Sequence, residues 1–298
     1  MNHFLSMTSS PRISVIIAVF NGAKHLSAQM DALLAQRCDF PWEAIYVDNG
    51  STDTSRELIS ARISEDNLSH VHLIDGSQER GQVYARNHGG RLARTSLLAY
   101  TDQDDLPAPD WVTEMVKALQ NSDAIAGGII YTPHGYALVN NQDTGQEPPR
   151  SLKCWNGFDY ALGTNFGVHR HVLEALGGWQ ELGVHAGEDV DLCIRLKLAG
   201  YKISYAPMVR VTWRSRIEIG DIFRQGVTYG RSDVLLYLKF RKHGVQRRSL
   251  RSMLRVIKQT LQPLGGLFQT PRSYWGVIKL GVLTGRLLQC LRSRTLYI

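Results

Sequence analysis

The chain has 298 residues, 43% hydrophobic and 20% charged, ordinary proportions for a folded soluble body. Its net charge of +7 is laid out unevenly: Arg210 to Ile298 holds 18 Lys and Arg against 3 Asp and Glu, a net of +15, so the preceding residues carry −8. Cys38, Cys154, Cys193 and Cys290 are widely spaced with no C-x-x-C, which argues against a zinc site, offers no disulfide framework, and fits a reducing cytoplasm.

Met1 to Ser10 lacks the basic segment and long apolar run of a signal peptide. Ile13 to Phe20 is a continuous Val- and Ile-rich run, the pattern of a strand buried on both faces. Asn21-Gly22 turns the chain, and Leu26, Met30, Leu33 and Leu34 follow at helical spacing. Ala44 to Val47 predicts a second strand ending at Asp48, and Asn49-Gly50-Ser51-Thr52-Asp53 a turn opening another helix. A third strand is predicted over Val71 to Ile74, a helix over Gly81 to Ala93, and a fourth strand over Leu97 to Thr101, which stops at Asp102-Gln103-Asp104-Asp105. Strands alternating with helices predict an α/β fold with a mostly parallel sheet covered on both faces, and ligands in such sheets sit beyond the carboxyl ends of the strands. Asn140 to Arg150 reads as a polar loop. Gly163 to Pro207 reads as a helix, a Gly-rich turn, a second helix and a strand. Beyond Ile217 the pattern is of amphipathic helices, broken near Pro263-Leu264-Gly265-Gly266.

Several groups carry possible chemistry. Asp102-Gln103-Asp104 sets two carboxylates at alternate positions just past a strand, a suitable place for a hard divalent cation that also takes substrate phosphates. A solvated turn or a helix cap has the same sequence. Ser51, Thr52 or Asp53 suits a helix cap as well as a nucleotide contact. Arg86 suits a phosphate or a neighbouring carboxylate. Gly187-Glu188-Asp189-Val190-Asp191 opens a helix on which Asp191 and Arg195 lie four apart and pair. Asp189 sits in the first turn, where the helix dipole favours an ionised carboxylate able to act as a general base. His169, His171 and His185 read as surface positions rather than metal ligands. No G-x-S-x-G or P-loop pattern occurs.

Taken in order, these segments resemble family 2 glycosyltransferases of the GT-A fold: Val15 to Asn21, Val47 to Asp53, Gly81 with Ala85 to Gly89, Asp102 to Asp105, Gly163-Thr164-Asn165, Gly177 to Glu181, and Gly187 to Leu192. The match runs from about Pro11 to Trp213. The resemblance implies an inverting single displacement, in which an acceptor hydroxyl attacks the anomeric carbon as the nucleotide diphosphate leaves. It places Asp104 as ligand of a divalent metal, Mg2+ or Mn2+. It sets Val19, Asn21, Asp48, Asn49, Asp53, Arg86, Asp102 and Asp104 against the donor. Asp189 falls at the catalytic base, with Glu188 beside it shaping an acceptor side that also includes Asn165 and Trp179. Three positions depart from the family. Val211-Thr212-Trp213-Arg214 has no His where many members carry one, leaving Arg214 or Arg216 to meet the diphosphate. Asn49 replaces an acid that contacts the base. Trp179-Gln180 replaces a Phe-Asp pair.

The expected organisation is a nucleotide-sugar half at residues 1–120, an acceptor half at 121–215, and a basic helical tail at 216–298. Tail Lys and Arg interleave with Leu235, Leu236, Leu238, Phe240, Leu250, Leu254 and Ile257, so the tail is expected to lie on an anionic membrane surface, with the enzyme peripheral on the inner face of the cell membrane. A glycan or lipid-linked acceptor suits that location. Nucleic acid is not an expected partner, because no zinc-finger or RNA-recognition signature accompanies the charge. Two alternatives stay open: a sugar-1-phosphate nucleotidyltransferase, and a nucleotide-sugar-binding protein of the same fold with impaired turnover. The first lacks its basic Gly-rich loop after the first strand, where Asn21-Gly22-Ala23-Lys24 stands instead.

Overall fold

The computed structural model describes residues 10–131, 153–214, 216, 218–247 and 271–297. The polar loop, the break near Pro263, and Leu250, Leu254 and Ile257 lie outside the described residues. The N-terminal part alternates as expected: β1 (Ser14–Val19), α1 (Ala23–Leu34), β2 (Glu43–Asp48), α2 (Ser55–Glu65), β3 (Val71–Asp75), α3 (Gln82–Leu92) and β4 (Leu97–Asp102). The remainder comprises β5 (Leu106–Pro107), α4 (Trp111–Leu119), β6 (Ala124–Tyr131), β7 (Lys153–Trp155), β8 (Phe158–Tyr160), β9 (Phe166–His169), α5 (Arg170–Ala175), α6 (Glu188–Leu198), β10 (Ile203–Trp213), α7 (Ile219–Phe240) and α8 (Pro271–Arg292).

A single curled sheet runs β3-β2-β1-β4-β9-β6-β10-β5. Strands β3, β2, β1 and β4 are mutually parallel, as is the β6–β10 pair. β9 enters antiparallel to both β4 and β6, and β5 antiparallel to β10. Sequence reading missed β9 because four residues directly before a helix are too short to show a period. This mixed sheet flanked by helices, with a helical C-terminal extension, is the arrangement expected of the GT-A fold.

Side-chain alternation along β1 divides the core. Ile13, Val15, Ile17 and Val19 pack with α1 and α4 through Leu26, Met30, Trp111 and Met115. Ile16 faces the other way, in a layer with Val47, Ala85, Tyr100, Phe166 and Leu192. A third cluster joins Val190 and Ile194 of α6 to Val234, Leu236 and Phe240 of α7 and Cys290 of α8. The extension is thus packed onto the body. The expectation that Leu236 and Phe240 face a membrane is corrected: they are 1% and 4% exposed. Glycines let α7 and α8 meet backbone to backbone. A Cβ on Gly226 or Gly230 would strike the carbonyls of Ile278 or Val282, and one on Gly281 or Gly285 those of Phe223 or Val227.

Candidate active site

Parallel pairing brings the carboxyl ends of the first four strands to one edge: Val19 lies beside Asp48, Asp48 beside Asp75, and Ala18 beside Asp102. The loops beyond are knitted by their own polar groups. Asn21 is left-handed at φ 49°, and its Oδ1 accepts the N–H of Thr52 at 2.8 Å. Asp53 Oδ2 accepts from Ala23 N at 3.1 Å. Asp48 is buried; Oδ1 accepts from Ser51 N at 3.2 Å and Oδ2 faces Arg56 at 3.4 Å. Asn49 donates to the carbonyls of Gly76 and Glu79 at 2.5 and 2.6 Å and accepts from Gly81 N at 2.7 Å. Its amide is therefore committed to shaping the loop before α3. Val19 is fully buried, and its carbonyl accepts from Asn49 N at 2.8 Å.

Arg86 is the hub. The residue is 2% exposed, and its guanidinium donates to Asp102 Oδ1 and Glu188 Oε1 at 2.9 Å each and lies 4.7 Å over the Trp179 ring. Burial opposes the charge, but Asp102 and Glu188 outweigh it and raise the pKa. Gly163 gives it room, since a Cβ there would lie 2.7 Å from Nη1. The ion pairs bridge 16 and 102 residues of sequence and hold the start of α6 beside the end of β4.

The acidic turn after β4 is crowded. Burial, and then the charge of Asp102, push the Asp104 pKa up to about 6, against the pull of Arg214 and Arg216. Asp105 is 1% exposed and is raised well above the usual carboxylate range by burial, Asp104 and Asp102, although Thr164 and the Arg214 N–H both bond it. Arg214 Nε also donates to the Asp104 carbonyl at 3.1 Å. A divalent cation would relieve this like-charge crowding. Among the described residues no three His, Cys, Asp or Glu side chains converge into a metal cage. One carboxylate at Asp104 suits Mg2+ or Mn2+, which complete their shell with phosphate and water.

This crowding has a measurable consequence. A carboxyl whose folded pKa is raised binds protons in the native state that the unfolded chain has released, so its ionisation lowers stability as pH rises above about 4. Asp105→Asn keeps the shape without the charge: its amide oxygen can accept from the Arg214 N–H and its NH2 can donate to the Thr164 hydroxyl, reversing that bond. It is expected to melt several degrees above the parent at pH 8 without metal, and level with it near pH 4. A gain equal at both pH values would show that charge is not the cause.

Asp189 opens α6, where its Oδ1 accepts from Val190 N at 2.8 Å and its Oδ2 from Gly163 N at 3.3 Å. The helix dipole alone favours the ionised form. Burial, and then Glu188, prevail and push the pKa up to about 7, while Arg86 opposes them. Asn165 and Trp179, expected on the acceptor side, are both buried and held by protein partners. Asn165 is 1% exposed, accepts from Trp111 Nε1 at 2.8 Å and donates to the carbonyls of Gly128 and Val209. Trp179 is 2% exposed, edge-on to Tyr100 and Phe166, and serves as the bed of Arg86. Sequence reading missed Gln103, whose amide clasps the Phe20 backbone at 2.9 and 3.0 Å. It also missed His25 in the first turn of α1, whose pKa is lowered by burial and then by Arg214; its Nδ1 is buried without a hydrogen-bond partner among the described residues.

The chain is 27% identical over 277 residues to the glycosyltransferase AglE of Haloferax volcanii, covering 90% of this chain and 85% of that one. It is also 27% identical over 231 residues to the pre-mycofactocin glycosyltransferase of Mycobacterium tuberculosis, of whose length it spans 46%. In fold it resembles the mannosyltransferase PcManGT of Pyrobaculum calidifontis, solved with GDP-Man and Mn2+: TM-score 0.64 at 18% identity, over 96% of this chain and 88% of that one. Residues 14–177 match the model of glycosyl transferase family 2, and residues 97–285 that of glycosyl transferase family group 2. With the acidic strand end, the Arg86 bridge and the opening of α6 at one sheet edge, the chain belongs to glycosyl transferase family 2.

Proposed function

We propose that this is an inverting hexosyltransferase, dependent on Mg2+ or Mn2+, that moves a sugar from a nucleoside diphosphate donor to a hydroxyl of a glycan or lipid-linked acceptor in the synthesis of cell-surface polysaccharide or glycolipid. The observation that carries this reading is the Asp102–Arg86–Glu188 bridge, which sets a carboxylate of raised pKa, Asp189, near an acidic strand end. A metal bound at Asp104 would neutralise the departing diphosphate. Arg214 and Arg216, already close enough to act on Asp104, would add charge on the same side. The loops bearing Asn21, Asp48, Asn49 and Asp53 form the donor side, with Asp102 oriented by Arg86. The acceptor oxygen attacks the anomeric carbon, the bond to the diphosphate oxygen breaks with its electron pair, and the hydroxyl proton passes to Asp189. Support for a metal and a nucleotide donor comes also from the neighbour solved with GDP-Man and Mn2+. The test is a panel of UDP-, GDP- and dTDP-sugars with Mn2+ or Mg2+. Release of one nucleoside diphosphate, abolished by chelator, is expected. Pyrophosphate release from a nucleoside triphosphate and a sugar phosphate would instead identify a nucleotidyltransferase, and tight binding without release an impaired relative.

The same proposal places the protein on the inner face of the cell membrane, lying on the surface: among the described residues no helix is long and apolar enough to cross. The corrected lipid-facing candidates are Leu287, Leu288 and Leu291 on α8, 42%, 52% and 78% exposed, next to Arg292 and Arg294. Exposed leucines flanked by arginines match an anionic interface, where each basic side chain contributes about 1 kcal/mol, screened by salt. The full-length protein is expected to float with phosphatidylglycerol vesicles at low salt, and a Leu288→Asp/Leu291→Asp variant to stay behind. Equal recovery of both would refute this contact.

A further inference from the structure

The third hydrophobic cluster joins α7 to the helix that carries the proposed base, and a polar linkage sits at its edge. Asp191 lies two residues beyond Asp189, in the first turn of α6, and is fully buried. Arg195 Nε, four residues on, donates to its Oδ2 at 2.7 Å. The second cation comes from far along the chain: Lys239 Nζ, in the last turn of α7, lies 2.5 Å from Asp191 Oδ1. The same ammonium donates to Gln180 Oε1 at 2.9 Å. Gln180 begins the run that leads through Gly183 to Gly187 and into α6. Two turns earlier on α7, Ser232 packs against Gly187, whose φ of +86° suits glycine and where a Cβ would lie 3.0 Å from Ser232 Cβ. Val190 and Ile194 of α6 pack with Val234 and Leu236 of α7. The opening of α6 is thus gripped on two sides, by Arg86 through Glu188 and by α7 through Lys239.

We propose that α7 is a working part of the catalytic scaffold and that Lys239 is a positioning residue, setting the first turn of α6 through Asp191 and the preceding loop through Gln180. The inference rests on the reading of Asp189 as base. Asp191 needs both cations, because a buried carboxylate stripped of one partner is driven to shift or to neutralise. Either response moves the turn that carries Asp189, and a displacement of about 1 Å at a reacting group can lower a rate by up to about 10²-fold. Donor affinity is set at the ends of β1 to β4, away from this contact, and is not expected to follow.

The experiment uses the full chain with Lys239→Met, Lys239→Arg and Lys239→Met/Asp191→Asn, beside Asp189→Asn. It reads kcat and KM for nucleoside diphosphate release from the nucleotide sugar the parent turns over, and Kd for the corresponding UDP, GDP or dTDP with Mn2+. Lys239→Met is expected to lower kcat about tenfold with Kd unchanged. Lys239→Arg should restore most of the loss, and the double variant should recover part of it, because the neutral amide no longer needs the cation. If Asp189→Asn is inactive while Lys239→Met keeps the parental kcat, the positioning role falls and the base stands. A Kd weakened as much as kcat would mean general damage and also overturns the positioning role. A near-parental kcat in Asp189→Asn removes the base assignment and this inference with it.

Discussion

Asp189→Asn is expected to lower kcat for sugar transfer by about 10²–10⁴-fold, the usual contribution of a positioned acid–base group, and to leave metal and donor affinity unchanged. An alcohol is a poor nucleophile, and its proton must leave as the new glycosidic bond forms. A base for that proton works best with a pKa near the operating pH, and burial followed by the Glu188 charge bring Asp189 to about 7. The sign follows directly. The base acts only when ionised, so kcat should fall as pH drops through about 7 and level off above it, and Asp189→Asn should lose that acidic limb. Glu188→Gln breaks the ion pair with Arg86 at 2.9 Å, so its effect is expected on acceptor KM through the shape of the site. Steady-state kinetics of both variants beside donor titration separates the two. Near-normal kcat in Asp189→Asn with a large loss in Glu188→Gln would assign the base to the neighbour.

Asp104→Ala is expected to abolish metal-dependent nucleotide binding, and transfer with it. Three carboxylates, Asp102, Asp104 and Asp105, lie in one turn, and burial, followed by their mutual repulsion, raises the pKa of Asp104 and Asp105. A divalent cation held at Asp104 would discharge this repulsion and meet the diphosphate at once, so metal and nucleotide should bind cooperatively. Calorimetric titration of the nucleoside diphosphate with and without Mn2+ measures the coupling. The parent should show strong dependence on Mn2+ and the variant none. Transfer by the parent that persists in excess chelator would defeat the metal reading.

The resemblance to family 2 was legible in sequence because its signals are local. Ile13 to Phe20 announces a strand buried on two faces, Asn21-Gly22 a turn, and Asp102-Gln103-Asp104 an acidic strand end. Each depends on residues within one turn or one strand. Asp191 and Arg195 pair on α6 for the same reason, being four apart. For Asn165 and Trp179 the motif records that a residue is needed without saying for what. Their side chains hold the core and the bed of Arg86, and burial is a property of neighbours rather than of the residue.

The sequence by itself determined the alternation of β1 to β4 with their helices, the acidic strand end, and the polar opening of α6, since hydrophobic period and turn chemistry act over a few residues. Only the tertiary structure decided that Arg86 spans Asp102 and Glu188, that Asp189 is raised rather than lowered, and that α7 is bound to α6 through Lys239 and Asp191. The physical reason is the same in each case. Charges separated by tens of residues interact strongly only once folding has brought them within a few ångströms and removed the water between them, and neither that distance nor that desolvation is written in any one segment.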